Sequence, residues 1–390
     1  MDPVRNPYSP GAGSPPPALV GRDSELSAFE TAVQRLGIGR PARSVMLTGL
    51  RGVGKTVLLR EFSRTAKSHG WVHEQVEATA EIRFPEVMAM LVRKALLRLS
   101  VGQRAAARAR RALGVLKSFQ VRWSLPDSGG LTLEVDAVEG HADSGILDDD
   151  LTGLFLEVGE LARDRGLGVL VTIDEIQYLT TEHLSALIMA LHRIAQEQLP
   201  VMVAGAGLPS LAALAGEAKS YAERLFTFPV IDRLDRIEAG VALLRPAEDE
   251  GVSWDPAAID AVVAVAEGYP YFLQEFAKQA WDVAEGPDTI TAADVEAAMP
   301  IALAELDDGF FRVRIDRTNE SERAYLRAMA SLGPGPHPSG EIAAVMGKAT
   351  TQVGPYRDTL IKRGLCYAPR YGTVAFTVPM FDAYLRRWLP

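Results

Sequence analysis

Apolar and polar positions along this chain fall into three regimes. In the first, short continuous apolar runs alternate with stretches of helical period. Ser44-Val45-Met46-Leu47-Thr48, Gly168-Val169-Leu170-Val171-Thr172-Ile173 and Pro200-Val201-Met202-Val203-Ala204-Gly205 read as buried strands. Residues 71–78 read as a further strand. Apolar residues recur at Val87, Met90, Leu91, Ala95 and Leu99, which predicts a helix over 85–99. Residues 151–165 and 182–198 are also expected to be helical. An earlier helix runs from a cap at Asp23 or Ser24 to about Leu36. Strands alternating with helices predict an α/β unit over 18–245, with a parallel sheet and helices on both faces.

Beyond Arg245-Pro246 the strand pattern stops. Helices are expected over 255–267, 271–284 and 291–306, with Pro256, Pro270 and Thr291 at their starts. They predict a small helical domain, 246–316, that would serve as a lid. Residues 317–390 have a third character. Helices are expected over 321–331, 339–346 and 351–362, then short strands over 365–368 and 373–378 around Pro369-Arg370-Tyr371-Gly372. A last helix starts at Phe381. Three helices and a two-stranded wing predict a winged helix-turn-helix. Pro355, inside the third helix, must sit in its first turn or kink it.

Two segments leave this pattern. Residues 1–17 hold six prolines and few apolar side chains, which predicts a disordered lead. Residues 101–126 carry Arg104, Arg108, Arg110, Arg111, Lys117 and Arg122 with no acidic residue. Residues 118–124 and 131–135 alternate around the turn signal Asp127-Ser128-Gly129-Gly130. This predicts a basic helix and a β-hairpin, inserted over about 101–140. Two roles stay open for it: a nucleic-acid contact, or a solvated charged helix covering the sheet.

Composition narrows the picture. At 390 residues the chain is long enough for two or three domains. No apolar run is long enough to span a bilayer, and no secretory signal is visible, so no membrane role is expected. The single cysteine, Cys366, excludes an internal disulfide and suits a reducing cytoplasm. A net charge of −9 argues against a chain coated with nucleic acid. Residues 317–390, however, hold ten Lys/Arg against five Asp/Glu.

The chemistry centres on Gly49-Leu50-Arg51-Gly52-Val53-Gly54-Lys55-Thr56, which fits the phosphate-binding loop G-x-x-x-x-G-K-[ST]. A strand precedes it, and a helix opens at Val57. The glycines let backbone N–H groups turn inward, and the helix N-terminus adds partial positive charge. Lys55 would reach the β- and γ-phosphates of ATP or ADP, and the Thr56 hydroxyl would ligate Mg²⁺. Val169-Leu170-Val171-Thr172-Ile173-Asp174-Glu175 is a Walker B pattern. Asp174 would hold Mg²⁺, and Glu175 would orient the attacking water.

Together these residues resemble the AAA+ ATPases, and within them the origin-recognition and archaeal-ATPase branch, which borders the STAND signalling ATPases. Leu19-Val20-Gly21-Arg22-Asp23-Ser24-Glu25-Leu26 resembles that branch's (F/L)-V-G-R-x-x-E-L box, which implies that Val20, Gly21 and Arg22 lie against adenine and ribose. Asp174-Glu175-Ile176-Gln177 resembles its extended Walker B. Ser220-Tyr221-Ala222-Glu223-Arg224-Leu225 resembles its arginine-finger segment, which implies self-association through Arg224. The alternative for Arg224 is a surface salt bridge with Glu223 or Asp232. Gly268-Tyr269-Pro270 resembles the lid turn.

Two departures from the family pattern imply slow hydrolysis used as a switch. Gly205-Ala206-Gly207 stand where relatives often carry a polar sensor, and the lid turn lacks a sensor arginine. The winged helix would bind double-stranded DNA, with Thr351, Gln352, Arg357, Lys362 and Arg363 as candidate contacts and Arg370 on the wing. The alternative is a STAND-like regulatory ATPase whose winged helix binds a protein.

Overall fold

The computed structural model describes residues 1–11, 16–100, 106–125 and 135–388. The first unit runs α1 (Asp23–Gly37), β1 (Ser44–Thr48), α2 (Lys55–Ser68), β2 (Val72–Glu77), α3 (Phe84–Leu99), α4 (Ala106–Arg122), α5 (Leu147–Asp164) and β3 (Val169–Asp174). It continues through α6 (Thr181–Gln196), β4 (Val201–Gly207), α7 (Leu211–Ala218), α8 (Ala222–Leu225) and β5 (Phe226–Thr227). The strands form one parallel sheet in the order β2-β3-β4-β1-β5.

The continuous apolar strands are explained by burial on both faces. Along β3, Val169, Val171 and Ile173 enter the core made with α3, α5 and α6, while Leu170 enters the core made with α1 and α2. On that second face Phe29 of α1 stacks on Phe62 of α2 at 4.0 Å. The order sets β4 between β1 and β3, so both strand ends that carry candidate chemistry open on one edge of the sheet.

The insertion differs from expectation. Residues 118–122 continue α4 instead of forming a strand, because Phe119 is wholly buried in the core shared with α3 and α5. Alternation over a few residues does not separate a strand from a helix with one buried face, and burial of Phe119 decided it. The turn and most of the second hairpin strand lie outside the described residues. Two of the basic side chains are neutralised by α5: Arg108 pairs with Glu160 and Asp164, and Arg111 with Glu157. Trp123 donates to Asp150 at 3.0 Å. Helix α5 starts earlier than expected, with Asp148, Asp149 and Asp150 in its first turn, where acidic groups suit the helix dipole.

The rest of the chain is α9 (Arg236–Asp249), β6 (Ser253–Trp254), α10 (Pro256–Ala266), α11 (Pro270–Val283), β7 (Thr289–Ile290) and α12 (Ala292–Glu305). A π-helical stretch, Leu306–Arg312, leads into α13 (Val313–Ile315). Then follow α14 (Glu320–Ser331), β8 (His337–Pro338), α15 (Ser339–Val345), α16 (Thr350–Lys362), β9 (Cys366–Tyr367), β10 (Thr373–Phe376) and α17 (Phe381–Trp388). The boundary expected at 245 falls inside α9, which has a full capping box at Asp235 and Glu238 and accommodates Pro246. Strands do not wholly stop beyond it, since β6 and β7 form a short parallel pair. β8, β10 and β9 form a three-stranded antiparallel sheet beside α14, α15 and α16. Pro355 lies in the second turn of α16, where its missing N–H leaves the Thr351 carbonyl without its helical donor.

The helical unit and the C-terminal elements share one continuous apolar core. The π-helical stretch bridges them: Phe311 stacks on Phe381 at 5.7 Å and on Tyr384 at 5.0 Å. The lead is not disordered over residues 1–11. Pro3–Arg5 form a 3-10 helix, Asn6 donates to Asp282 at 2.7 Å, and Tyr8 is buried edge-on against Trp254 and Trp281. One large aromatic side chain seated between two tryptophans outweighs a composition poor in apolar residues.

Candidate nucleotide-binding site

The loop after β1 is held in a shape that only glycine permits at its base. A Cβ on Gly49 would lie 2.1 Å from the Ile231 carbonyl oxygen. Gly52 and Gly54 take positive φ of 84° and 95°, which turns the chain into α2. The first N–H groups of α2 have no partner within the helix, and Lys55, Thr56 and Val57 at its start line a cavity. Lys55, at the first helical position, is buried, and its Nζ donates to the carbonyls of Gly49 at 2.9 Å and Leu50 at 2.6 Å. Burial pushes its ammonium down to about 8, with Glu175 and Asp174 opposing the shift and Arg51 adding to it.

The Thr56 hydroxyl donates to Asp174 Oδ2 at 2.6 Å. A hydroxyl and a carboxylate meeting at a phosphate loop suit Mg²⁺, whose other ligands would be phosphate oxygens and water. No group of three or more His, Cys, Asp or Glu suited to a metal occurs among the described residues, so phosphate and water would have to complete the coordination. Glu175, one residue past β3, adopts left-handed φ 51° and ψ 37°, a strained state for a side-chain-bearing residue. Its Oε2 is held by Gln177 and, at 3.4 Å, by Arg51. Gln177 in turn accepts from the Leu208 N–H at the end of β4.

These groups line a cavity of about 580 Å³ between the sheet edge and the helical unit. Val20, Arg22, Gly52, Val53, Gly54, Lys55, Thr56, Val57, Asp174 and Glu175 all line it. Gly49 and Gly21 stand behind the wall; a Cβ on Gly21 would lie 2.6 Å from the Glu238 carboxylate. Arg22 donates to Asp232 O at 2.6 Å and Val53 O at 3.3 Å, and burial lowers its basicity. Arg224 is exposed, lies off the cavity, and makes neither of the expected salt bridges among the described residues.

Sequence reasoning missed several cavity groups. Arg51 is a variable position of the phosphate-loop pattern, so the motif carries no signal for it. Its side chain meets Glu175 and the Tyr178 hydroxyl, and its backbone N–H donates to Thr377 O of the C-terminal elements at 3.0 Å. Tyr271 follows the lid turn directly, which was the available signal; its N–H donates to Gly52 O at 3.3 Å. Phe310 and Arg314 come from the π-helical stretch and α13, where no sequence pattern pointed at the cavity.

Of the six residues proposed to touch DNA, Thr351, Gln352, Lys362, Arg363 and Arg370 are exposed and Arg357 is half-buried. Arg363 pairs at 2.8 Å with the buried Glu322, and Gln352 Oε1 accepts from the Ala349 N–H. The buried Glu322 therefore gives the exposed Arg363 a structural partner that a count of charges does not reveal.

The parallel sheet and this loop define the class: a P-loop nucleotide-binding fold. Residues 18–204 match the family described as AAA ATPase domain, and residues 308–385 match one described as a domain of unknown function (DUF8462). Among curated proteins none matches. A Walker-type ATPase of Pyrococcus abyssi is similar at 17% identity and TM-score 0.54, over 94% of this chain and 96% of that one. The Orc1 protein of Aeropyrum pernix, solved in complex with DNA, is similar at 17% identity and TM-score 0.50, over 98% and 96%. These two neighbours share the fold of this chain. No helix among the described residues is long and apolar enough to cross a membrane.

Proposed function

We propose that the chain is a slow, Mg²⁺-dependent ATPase whose nucleotide state is passed to a C-terminal winged helix-turn-helix that contacts double-stranded DNA. One observation carries the coupling: Arg51 of the phosphate loop touches Glu175 through its side chain and Thr377 through its backbone. A phosphate that draws Arg51 away acts on the water-orienting carboxylate and on the C-terminal unit together. Val20, Gly21 and Arg22 would receive the purine, Lys55 the β- and γ-phosphates, and Thr56 with Asp174 the metal. Slow turnover is supported by the two groups that hold Glu175 Oε2 and by the all-apolar end of β4. Arg224, exposed and away from its own cavity, would complete the site of a second copy.

Three helices beside a three-stranded antiparallel sheet suit a winged helix. At the start of α16, Lys348, Thr351 and Gln352 are exposed, and Arg370 is exposed at the β9–β10 turn. The DNA complex of the Orc1 neighbour supports the same use. The fully exposed Tyr371 favours a second reading, in which this surface binds a protein.

The test is duplex binding by the full chain at low and moderate salt, with ADP and with a non-hydrolysable ATP analogue. The DNA reading expects binding that falls steeply with salt and differs between nucleotides. Absence of binding at low salt in both states would sink it in favour of the protein partner.

A further inference from the structure

Residues 1–11 run along the helical unit and then enter the nucleotide cavity. The Asp2 carbonyl accepts from Trp281 at 2.9 Å, and the Arg5 guanidinium pairs with Glu250. Asn6 donates to the Lys278 carbonyl at 3.0 Å as well as to Asp282. The Tyr8 hydroxyl donates to the Leu243 carbonyl and accepts from Trp254 at 2.9 Å. The next residues, Ser9, Pro10 and Gly11, line the cavity, as do Pro16 and Ala18 before the chain reaches Val20 of the α/β unit. One segment thus ties the helical unit to the α/β unit along the cavity wall.

Its position fixes which part of a nucleotide it would meet. Ala242, beside the Leu243 that receives Tyr8, lines the cavity together with Val20, whereas Lys55 and Thr56 stand at the phosphate loop. Pro10, Pro16, Ala18, Ala242 and Leu273 supply apolar wall of the kind that holds a flat base. Gln274, one helical turn before Lys278 on α11, also lines the cavity. It is 8% exposed, and its Oε1 has no partner among the described residues. A buried acceptor without a donor is costly, and a ligand edge carrying N–H groups would relieve it. The segment itself is held chiefly by one side chain. Among residues 1–11 Tyr8 alone is buried. The Arg5–Glu250 pair is solvent-exposed, and such pairs contribute little. Undocking therefore amounts to withdrawing one ring from between Trp254 and Trp281, a local opening far cheaper than unfolding the unit.

We infer that residues 1–11 are a strap over the purine end of the nucleotide cavity, which must leave its Tyr8 seat before nucleotide can exchange. This rests on the ATP-binding reading given above. The rate of nucleotide release is then the fraction of time the strap is open multiplied by the escape rate from the open cavity. The anchor at Tyr8 thereby sets how long a nucleotide state lasts. By linkage, a nucleotide that touches the docked strap also stabilises it.

Two measurements on the full chain test this. Dissociation of radiolabelled Mg-ADP, chased with excess unlabelled ADP, is followed for wild type, Tyr8→Phe, Tyr8→Ala and Lys55→Ala. Loss of the buried ring predicts dissociation at least about 10-fold faster in Tyr8→Ala. Tyr8→Phe keeps the ring but loses both hydrogen bonds, and should fall in between. Backbone hydrogen exchange of the wild type is then read at Val4, Arg5, Asn6 and Tyr8, whose N–H groups are hydrogen-bonded. Mg-ADP should slow it by at least about threefold. This second measurement needs no substitution, so it decides even where Tyr8→Ala fails to fold. Unchanged exchange at these residues in the ADP-bound wild type, or equal dissociation rates in wild type and Tyr8→Ala, would overturn the strap while leaving ATP binding standing. Wild type that binds ADP no better than Lys55→Ala would overturn the ATP reading and this inference together.

Discussion

Lys55 makes nucleotide affinity depend on pH in a way the geometry specifies. Its ammonium is buried, donates to two carbonyls, and has its pKa pushed down to about 8, first by burial. A polyphosphate placed against it favours the charged form and returns the pKa above its ordinary value of about 10.4. Between these values binding must take up a proton. Raising the pH from 7 to 9.5 should weaken Mg-ADP by about 30-fold, or about 2 kcal/mol, with close to one proton taken up per site near pH 9. Titration calorimetry in buffers of different ionisation enthalpy measures both quantities. Lys55→Arg, which stays charged throughout, should flatten the profile. In the nucleotide-free protein the sign reverses. The folded chain holds fewer protons than the unfolded one between about pH 8 and 10.4, so its own stability rises with pH across that window. Affinity that is flat from pH 7 to 9.5 in a protein that binds ADP, or an unchanged slope in Lys55→Arg, would refute the reasoning.

Three further outcomes are expected. Glu175→Gln should keep Mg-ATP bound and lower phosphate release by at least about 10²-fold; normal turnover would remove Glu175 from its role. His73 is buried between Ser63 and Thr172, and burial lowers its pKa to about 4. The unfolded chain takes its proton first, so the melting temperature should fall as pH drops from about 6.5 to about 4, and His73→Gln should lose that part of the slope. Phe119→Ala, inside the buried face of α4, should cost about 3–5 kcal/mol by urea denaturation, where a residue of an exposed hairpin would cost little.

The sequence by itself determined whatever local chemistry dictates. Three strands, β1, β3 and β4, were legible because a strand buried on both faces must be largely apolar. The glycines at 49, 52 and 54 and the Asp174-Glu175 pair were legible because phosphate and magnesium chemistry fixes residue type and spacing together. Tertiary structure decided what depends on partners far away in the chain. Alternation at 118–124 gave way to helix once Phe119 found a core against α3 and α5. The lead gained order because Tyr8 fits between two tryptophans of the helical unit. The positive charge expected at Arg363 was taken up by Glu322, a pairing that charge counting cannot foresee. Arg51 and Arg314 became cavity residues only because Thr377, Phe310 and Tyr271 hold them there. Spacing along the chain specifies groups that act from one loop; the packing of separate elements specifies the groups that close over it.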